Sequence, residues 1–214
     1  MSRLRFQISM SLDGYVAGPR QSVDHPLGIG GERLHEWVLP LAARRKPHGL
    51  EGGEVNENTP FIEEADRQRR RHDHGRNMFG GHPGPWDAKE PWEGWWGHNP
   101  PFHHPVFVLT HHARAPLQME GGTHFIFVTK GIEAALEQAR DAARGKDVAL
   151  GGGADVAQQF LAAGLVDQMD LHVAPILLGG GARLFENTGT DLHGLELVRT
   201  VATPQVVHLR FARR

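Results

Sequence analysis

Two hydrophobic periods take turns along the chain, and their alternation predicts the architecture. Leu4, Phe6 and Ile8 are separated by Arg5 and Gln7, a period of two that predicts a strand with one buried face. Tyr15 to Ala17, after the turn signal Asp13-Gly14, predicts a short return to extended chain. Continuous apolar runs at 106–109, 125–128 and 148–150 predict strands buried on both faces. Between them the period lengthens. Ile132, Ala135, Leu136 and Ala139 share one helical stripe ended by Gly145; Val156, Ala157, Phe160 and Leu161 share another, closed by Gly164. Leu34, Trp37, Val38 and Leu41 have helical spacing too, with Pro40 placed to kink or end that helix. Thr59-Pro60 predicts the start of a helix over Phe61 to Arg70, acidic first and basic last, as the helix dipole favours. Met169, Leu171 and Val173 alternate again, and Pro175 limits the pairing of that strand. Two final extended runs, 195–201 and 206–211, meet around Ala202-Thr203-Pro204 and predict an antiparallel hairpin.

Strands alternating with helices predict a three-layer α/β/α domain with a central, mostly parallel sheet. The three apolar runs form its centre and the C-terminal hairpin its antiparallel edge. Residues 1–214 read as one such domain, without internal repeats. The stretch from Gly80 to Pro105 reads as a long loop, and loops of that length in compact domains often serve as lids or binding loops. It holds Trp92, Trp95 and Trp96, which either stack on a planar ligand or pack the loop onto the domain.

Composition narrows the function classes. A net charge of −2 gives no reason to expect a nucleic-acid or anionic-membrane partner. The absence of cysteine removes disulfides, thiolate metal sites, thiol nucleophiles and the cysteine-dependent zinc deaminases. No apolar run is long enough to span a membrane and no signal-peptide pattern opens the chain, so a cytoplasmic protein is expected. The fifteen histidines raise metal binding, but none of the pairs 72/74, 103/104 and 111/112 has the helical H-E-x-x-H spacing, and no carboxylate completes a site; no metal is expected.

Chemistry concentrates in Asp147 to Phe160, DVALGGGADVAQQF. A buried strand, three glycines and a helix start follow one another. Such a turn lets a ligand approach the backbone and offers it unpaired N–H groups, which suits a phosphate. The spacing is neither G-x-G-x-x-G nor a P-loop, and close packing alone would also use glycines. Ligands of parallel sheets bind beyond the carboxyl ends of the strands. Asp13, Thr110 to Arg114 and Gly151 to Asp155 all fall there, which favours ligand contact.

The segments MSLDGYVAG, HGRNMFGG, PVFVLTHHAR and GGGADVAQQFLAAGLVDQMDLHVAPILLGGGARLF, in this order, resemble the dihydrofolate-reductase-like superfamily. The best match is the reductase domain of the bifunctional riboflavin-biosynthesis deaminase/reductase, over nearly the whole chain. The resemblance implies a homodimeric reductase that uses NADPH to transfer a hydride to a small-molecule substrate, a riboflavin-pathway pyrimidine or a pterin-like heterocycle. It implies that Gly151, Gly152, Gly153, Ala154, Asp155 and Val156 hold the pyrophosphate and nicotinamide side of the cofactor. Gly75, Arg76, Asn77 and Met78 would form the phosphate-contacting Gly-Arg turn, Thr110, His111 and His112 would meet the adenosine phosphate, and Val16 and Ala17 the nicotinamide carboxamide. Asp13 would lie where substrate and nicotinamide meet.

Residues 70–74 depart from the family, which has an apolar strand there; a run this polar is expected at the surface or with an altered cofactor contact. Asp13 is the candidate proton donor if burial raises its pKa, against the plainer role of capping its own turn. Arg76, His111, His112 and Arg114 are the cations that could select NADPH over NADH, or they are solvated surface charges. A non-catalytic nucleotide-binding protein of the same fold and a flavin-dependent reductase are the competing functions.

Overall fold

The computed structural model describes residues 2–68, 72–81, 84–87 and 92–214, and of 66–68 and 72–77 the backbone alone. The chain runs β1 (Leu4–Ser11), β2 (Tyr15–Ala17), α1 (Ala42–Arg45), α2 (Thr59–Gln68), β3 (His72–Gly75), α3 (Arg76–Phe79), β4 (Pro105–Leu109), β5 (Leu117–Gln118), β6 (His124–Val128), α4 (Ile132–Ala143), β7 (Val148–Gly152), α5 (Ala154–Ala162), β8 (Gln168–Ala174), β9 (Ala182–Arg183), β10 (Glu196–Ala202) and β11 (Val207–Ala212).

Among the described residues nine strands form one sheet in the order β10-β11-β8-β1-β7-β3-β4-β6-β5. The six strands from β8 to β6 are parallel, and β11 and β5 join antiparallel. Parallel strands need crossovers, and α4 and α5 supply two of them on one face. Their apolar stripes meet Leu4, Phe6, Leu150, Met169 and Leu171 in the main core. Phe160 of α5 is fully buried there. Each large side chain so buried contributes about 1.5–3 kcal/mol.

The expected hairpin is present, and Thr203 closes it by accepting from the Val206 N–H and donating to the Val206 carbonyl. Three expectations need correction. The apolar runs at 106–109 and 125–128 lie toward one side of the sheet, while β1 and β3 occupy its middle with β7. Residues 72–74 of the polar run, 70 and 71 lying outside the described residues, are not a displaced segment: β3 pairs through its backbone with β7 on one side and β4 on the other. Ladder hydrogen bonds come from the main chain, so two flanking strands can hold a segment whose side chains have poor strand preference. The helix expected over 34–41 is only a 3₁₀ turn, Gly31–His35, followed by turns. Pro40 disfavours helical backbone at the residue before it, yet Leu34, Trp37, Val38 and Leu41 are all buried.

Candidate functional site

β1 alternates between two environments. Leu4 and Phe6 face the α4/α5 core, so Arg5, Gln7 and Ser9 face the other side. Two apolar clusters stand on that second side. One joins Trp37, Val38, Leu41 and Ile62 to Val206; the other joins Phe79, Val106, Val108 and Phe125, with Trp86, Trp92, Trp96 and Phe102 packed on it. A cavity of about 780 Å³ is bounded by both. Trp37, Val38 and Ile62 form one wall, Trp95, Trp96 and Phe102 the other, and Gln7, Ser9, Ala149, Asp170 and His172 lie on the sheet strands beneath. The Trp37 indole N–H donates to Ser9 Oγ at 3.1 Å, tying one wall to the floor.

The sheet's carboxyl edge closes the groove. Gly151, Gly152, Gly153, Ala154 and Asp155 line it together with Val16 and Ala17, and Met78 of α3 joins them. Gly152 has φ of 92°, a conformation that side chains bearing a Cβ rarely adopt. Gly153 is different: its φ is −58° and a Cβ built there meets nothing within 4 Å. Packing does not demand glycine at 153, whereas close approach of a ligand would. Gly153 is also the N-cap of α5 and makes no side-chain cap, so the first N–H groups of that helix are left for another partner. These features fit a nucleotide held by backbone. Among the described residues no three His, Asp or Glu side chains converge to hold a metal ion.

Val156, Thr110, His111 and His112 fall outside the groove lining. Val156 is buried in the α4/α5 core, because the helix turns it inward. Thr110, His111 and His112 sit at the same sheet edge beyond β4. There the Thr110 hydroxyl accepts from the His112 N–H, and the Trp86 indole donates to the His112 carbonyl at 2.8 Å. Gly75 ends β3 and Arg76 and Asn77 begin α3, which places their backbone at that edge; the side chains of Arg76 and Asn77 lie outside the described atoms. Arg114 is committed to the aromatic cluster: its guanidinium lies 5.0 Å from the Trp86 ring and 5.2 Å from the Phe127 ring, donates to the Trp92 carbonyl, and has its pKa lowered by burial.

Asp13 is also absent from the lining, and its carboxylate is fully engaged. Ser11 Oγ donates to it at 2.6 Å, and the backbone N–H groups of Gly179 and Leu178 donate at 2.7 and 3.1 Å. The Ser11 hydrogen bond, opposed by some desolvation and reinforced by those two N–H groups, brings its pKa down to about 2. An acid of that strength is ionised at neutral pH and has no proton to give. Asp13 does cap a turn, but a distant one: it fastens the β1–β2 connection to the loop after β8, alongside Leu12 N–H to Ile176 O and Leu184 N–H to Gly14 O.

Of the two roles expected of the Trp-rich loop, the structure shows the packing one. Trp96 stacks on Phe125 and packs the loop down, while Trp95 and Trp96 also face the groove. A Cβ on Gly80 would lie 2.4 Å from Trp95, so that glycine lets the ring seat closely. Sequence reasoning missed the floor. The signal was present in the polar members of β1 and β8, Gln7, Ser9, Asp170 and His172, which alternate with the apolar ones and lie beneath Trp37 and the groove. It also missed His35, which lines the groove with its Nδ1 buried and unpartnered among the described residues and its pKa lowered by burial.

Comparisons with known proteins bear on this arrangement. No curated protein matches the sequence. A protein from Shewanella sp. PV-4, provisionally named for riboflavin biosynthesis, is similar in structure with a TM-score of 0.58, at 21% identity over 100% of this chain and 99% of that one. The Thermotoga maritima diaminohydroxyphosphoribosylaminopyrimidine deaminase/5-amino-6-(5-phosphoribosylamino)uracil reductase is similar with a TM-score of 0.58 and 12% identity; the match takes in 100% of this chain and 57% of that longer protein. Dihydrofolate reductase from Enterococcus faecalis, in a complex with NADP(H), has a TM-score of 0.50, 13% identity and coverage of 99% and 96%. At these identities the likeness shows the fold, which is dihydrofolate-reductase-like. The family is shown by the sequence itself: residues 3–209 match the model of the RibD C-terminal domain, and the chain belongs to that family.

Proposed function

We propose that this protein is an NADPH-dependent reductase that delivers a hydride to a small heterocycle, a riboflavin-pathway pyrimidine or a pterin-like ring, lying in the groove beside residues 151–155. Family membership supports an oxidoreductase of the reductase type. The observation that carries the cofactor assignment is the glycine turn at the groove, above all Gly153, a glycine for which packing gives no reason. When bound, the reduced nicotinamide supplies the hydride; the protein's part is to hold and orient both partners and to exclude water.

Each part of the site has a task in that scheme. Gly151 to Gly153 let the nucleotide approach the backbone, and the uncapped start of α5 meets its negative charge. Val16 and Ala17, both buried, wall the nicotinamide side. Trp37 and Trp95 enclose the heterocycle between two apolar walls. Asp13, ionised, keeps the loop after β8 in place and is not the source of the proton for the reduced atom. His111, exposed at the sheet edge, and His112 are the described candidates for preferring the 2′-phosphate. The backbone of β3 is paired with both neighbours, regularly with β4 and with one irregularity at Asp73–His74 against β7, so residues 72–74 give no reason to prefer a non-catalytic relative.

The test is a pair of titrations followed by turnover. Fluorescence titration should give a dissociation constant at least about tenfold lower for NADPH than for NADH, a difference of about 1.4 kcal/mol. Oxidation of NADPH should then be seen with 5-amino-6-(5-phosphoribosylamino)uracil or with dihydrofolate. Equal constants would remove the 2′-phosphate preference, and no binding of either nucleotide would remove the reductase reading.

A further inference from the structure

Beneath the groove runs a buried polar chain that hydride transfer does not use. Gln7 on β1 lines the groove, and its Nε2 lies 2.8 Å from Nε2 of His172 on β8. Nδ1 of His172 lies 2.7 Å from Nδ1 of His208 on β11. Nε2 of His208 lies 3.0 Å from Oδ1 of Asn58, whose Nδ2 donates to Oε1 of Gln205 at 3.1 Å. His172, His208 and Asn58 are 3%, 2% and 0% exposed. Phe61 stacks on the His208 ring at 3.7 Å between centroids, and Trp37 lies 4.8 Å from the His172 ring.

Counting protons along this chain fixes its direction. A neutral imidazole offers one donor and one acceptor. Asn58 Oδ1 can only accept, so His208 carries its proton on Nε2. Its Nδ1 therefore accepts from the Nδ1–H of His172. The Nε2 of His172 is left as an acceptor, and Gln7 donates to it. Charging His208 would set two N–H groups against each other, so the chain requires a neutral ring, and burial lowers the His208 pKa to about 4. Flipping the Gln7 amide would turn its carbonyl oxygen toward the lone pair of His172. The far end of the chain, buried at Asn58, thus decides which way a groove-lining amide points.

Gln7 occupies a telling place. The β1–β7 pairing ends at Phe6 and Leu150; Gln7 and Gly151 are the next residues along the two parallel strands, and both line the groove. On its other side Gln7 pairs with Asp170. An amide of fixed polarity therefore stands beside the glycine turn. Resting on the reductase reading above, we propose that Gln7 is a specificity-determining residue, its amide locked by His172, His208 and Asn58 to read the donor and acceptor pattern along the edge of the heterocycle. A ring edge of matching pattern is accepted, and one of reversed pattern meets donor against donor or acceptor against acceptor.

Two measurements test this. Imidazole ¹⁵N spectra of the wild-type protein should place the proton of His172 on Nδ1 and that of His208 on Nε2. A proton on Nε2 of His172 would reverse the chain and overturn the assignment without touching the reductase reading. Gln7→Leu and Gln7→Asn are then compared for NADPH affinity and for KM and kcat with 5-amino-6-(5-phosphoribosylamino)uracil and dihydrofolate. NADPH affinity should stay within about twofold, while Gln7→Leu raises KM for the reduced compound about tenfold with a smaller change in kcat, and Gln7→Asn restores part of the loss. An unchanged KM in Gln7→Leu overturns the proposal. Failure of the wild type to bind NADPH overturns the reductase reading instead. The tautomers and calorimetric binding of the same two compounds still decide on Gln7, and binding of neither would count against it.

Discussion

Replacing His208 by Phe should flatten the acid side of this protein's stability curve. In the fold the imidazole is 2% exposed, and burial, with a smaller contribution from the charge of Arg199, lowers its pKa from 6.5 to about 4. Between those values the unfolded chain binds a proton that the folded chain refuses, so stability rises with pH there. His208 therefore costs nothing above about pH 6.5, progressively destabilises the fold as pH falls toward about 4, and adds no further loss below. The full loss is about 3 kcal/mol, and the part between about pH 7 and pH 4.5 is about 2 kcal/mol. Urea unfolding followed by tryptophan fluorescence at those two pH values, on wild type and His208→Phe, reads it directly. The variant is less stable at neutral pH, because His172 and Asn58 lose a partner. The prediction concerns the difference of differences, in which the carboxylates shared by both proteins cancel. Wild type should lose about 2 kcal/mol more than the variant on acidification. Parallel losses, within about 0.5 kcal/mol, would refute the claim that folding keeps this ring neutral.

Other parts of the structure make their own predictions. Asp13→Asn should speed hydrogen exchange at the Leu178 and Gly179 amides, which the carboxylate now holds, and unchanged exchange would dismiss the capping role. Since the Asp13 pKa is lowered to about 2, its contribution is complete above about pH 3.8 and is lost as pH falls through about 2, so the variant should differ least from wild type in strong acid. Gly153→Ala should leave the melting temperature nearly unchanged, because nothing lies within 4 Å of the new Cβ, but should weaken NADPH binding at least about tenfold; retained affinity would mean that the cofactor does not pass over this turn. Phe160→Ala, at a fully buried position in the core, should cost about 3–5 kcal/mol in chemical denaturation, and a cost below about 1 kcal/mol would show that the α5 contact with the sheet is not as described.

Much of this architecture is written in local pattern. The apolar runs of β4, β6 and β7 and the stripes of α4 and α5 announce themselves because burial on both faces, or on one helical stripe, leaves a fixed period in the chain. The glycine turn and the segments flanking it were legible for the same reason: a glycine run between an apolar strand and a helical stripe is visible residue by residue. Other assignments failed where the deciding partner is distant in sequence. The polar run 72–75 contradicts its own preference and becomes a central strand because β7 and β4 offer it hydrogen bonds on both edges. Asp13 looked like an acid beside a substrate until Leu178 and Gly179 arrived, more than 160 positions along the chain, to occupy its oxygens.

The sequence by itself determined the class of the fold, the place of the glycine turn and most of the order of strands and helices, all of which follow from periodicity and backbone freedom within short windows. Only the tertiary structure decided which strands lie in the middle and that the polar face of β1 lies beneath Trp37 and the groove rather than in water. It alone brought Gln7, His172, His208 and Asn58 into one line. Those outcomes depend on hydrogen bonds between residues as much as 165 positions apart, and a local pattern carries no record of which distant partner a polar side chain will meet.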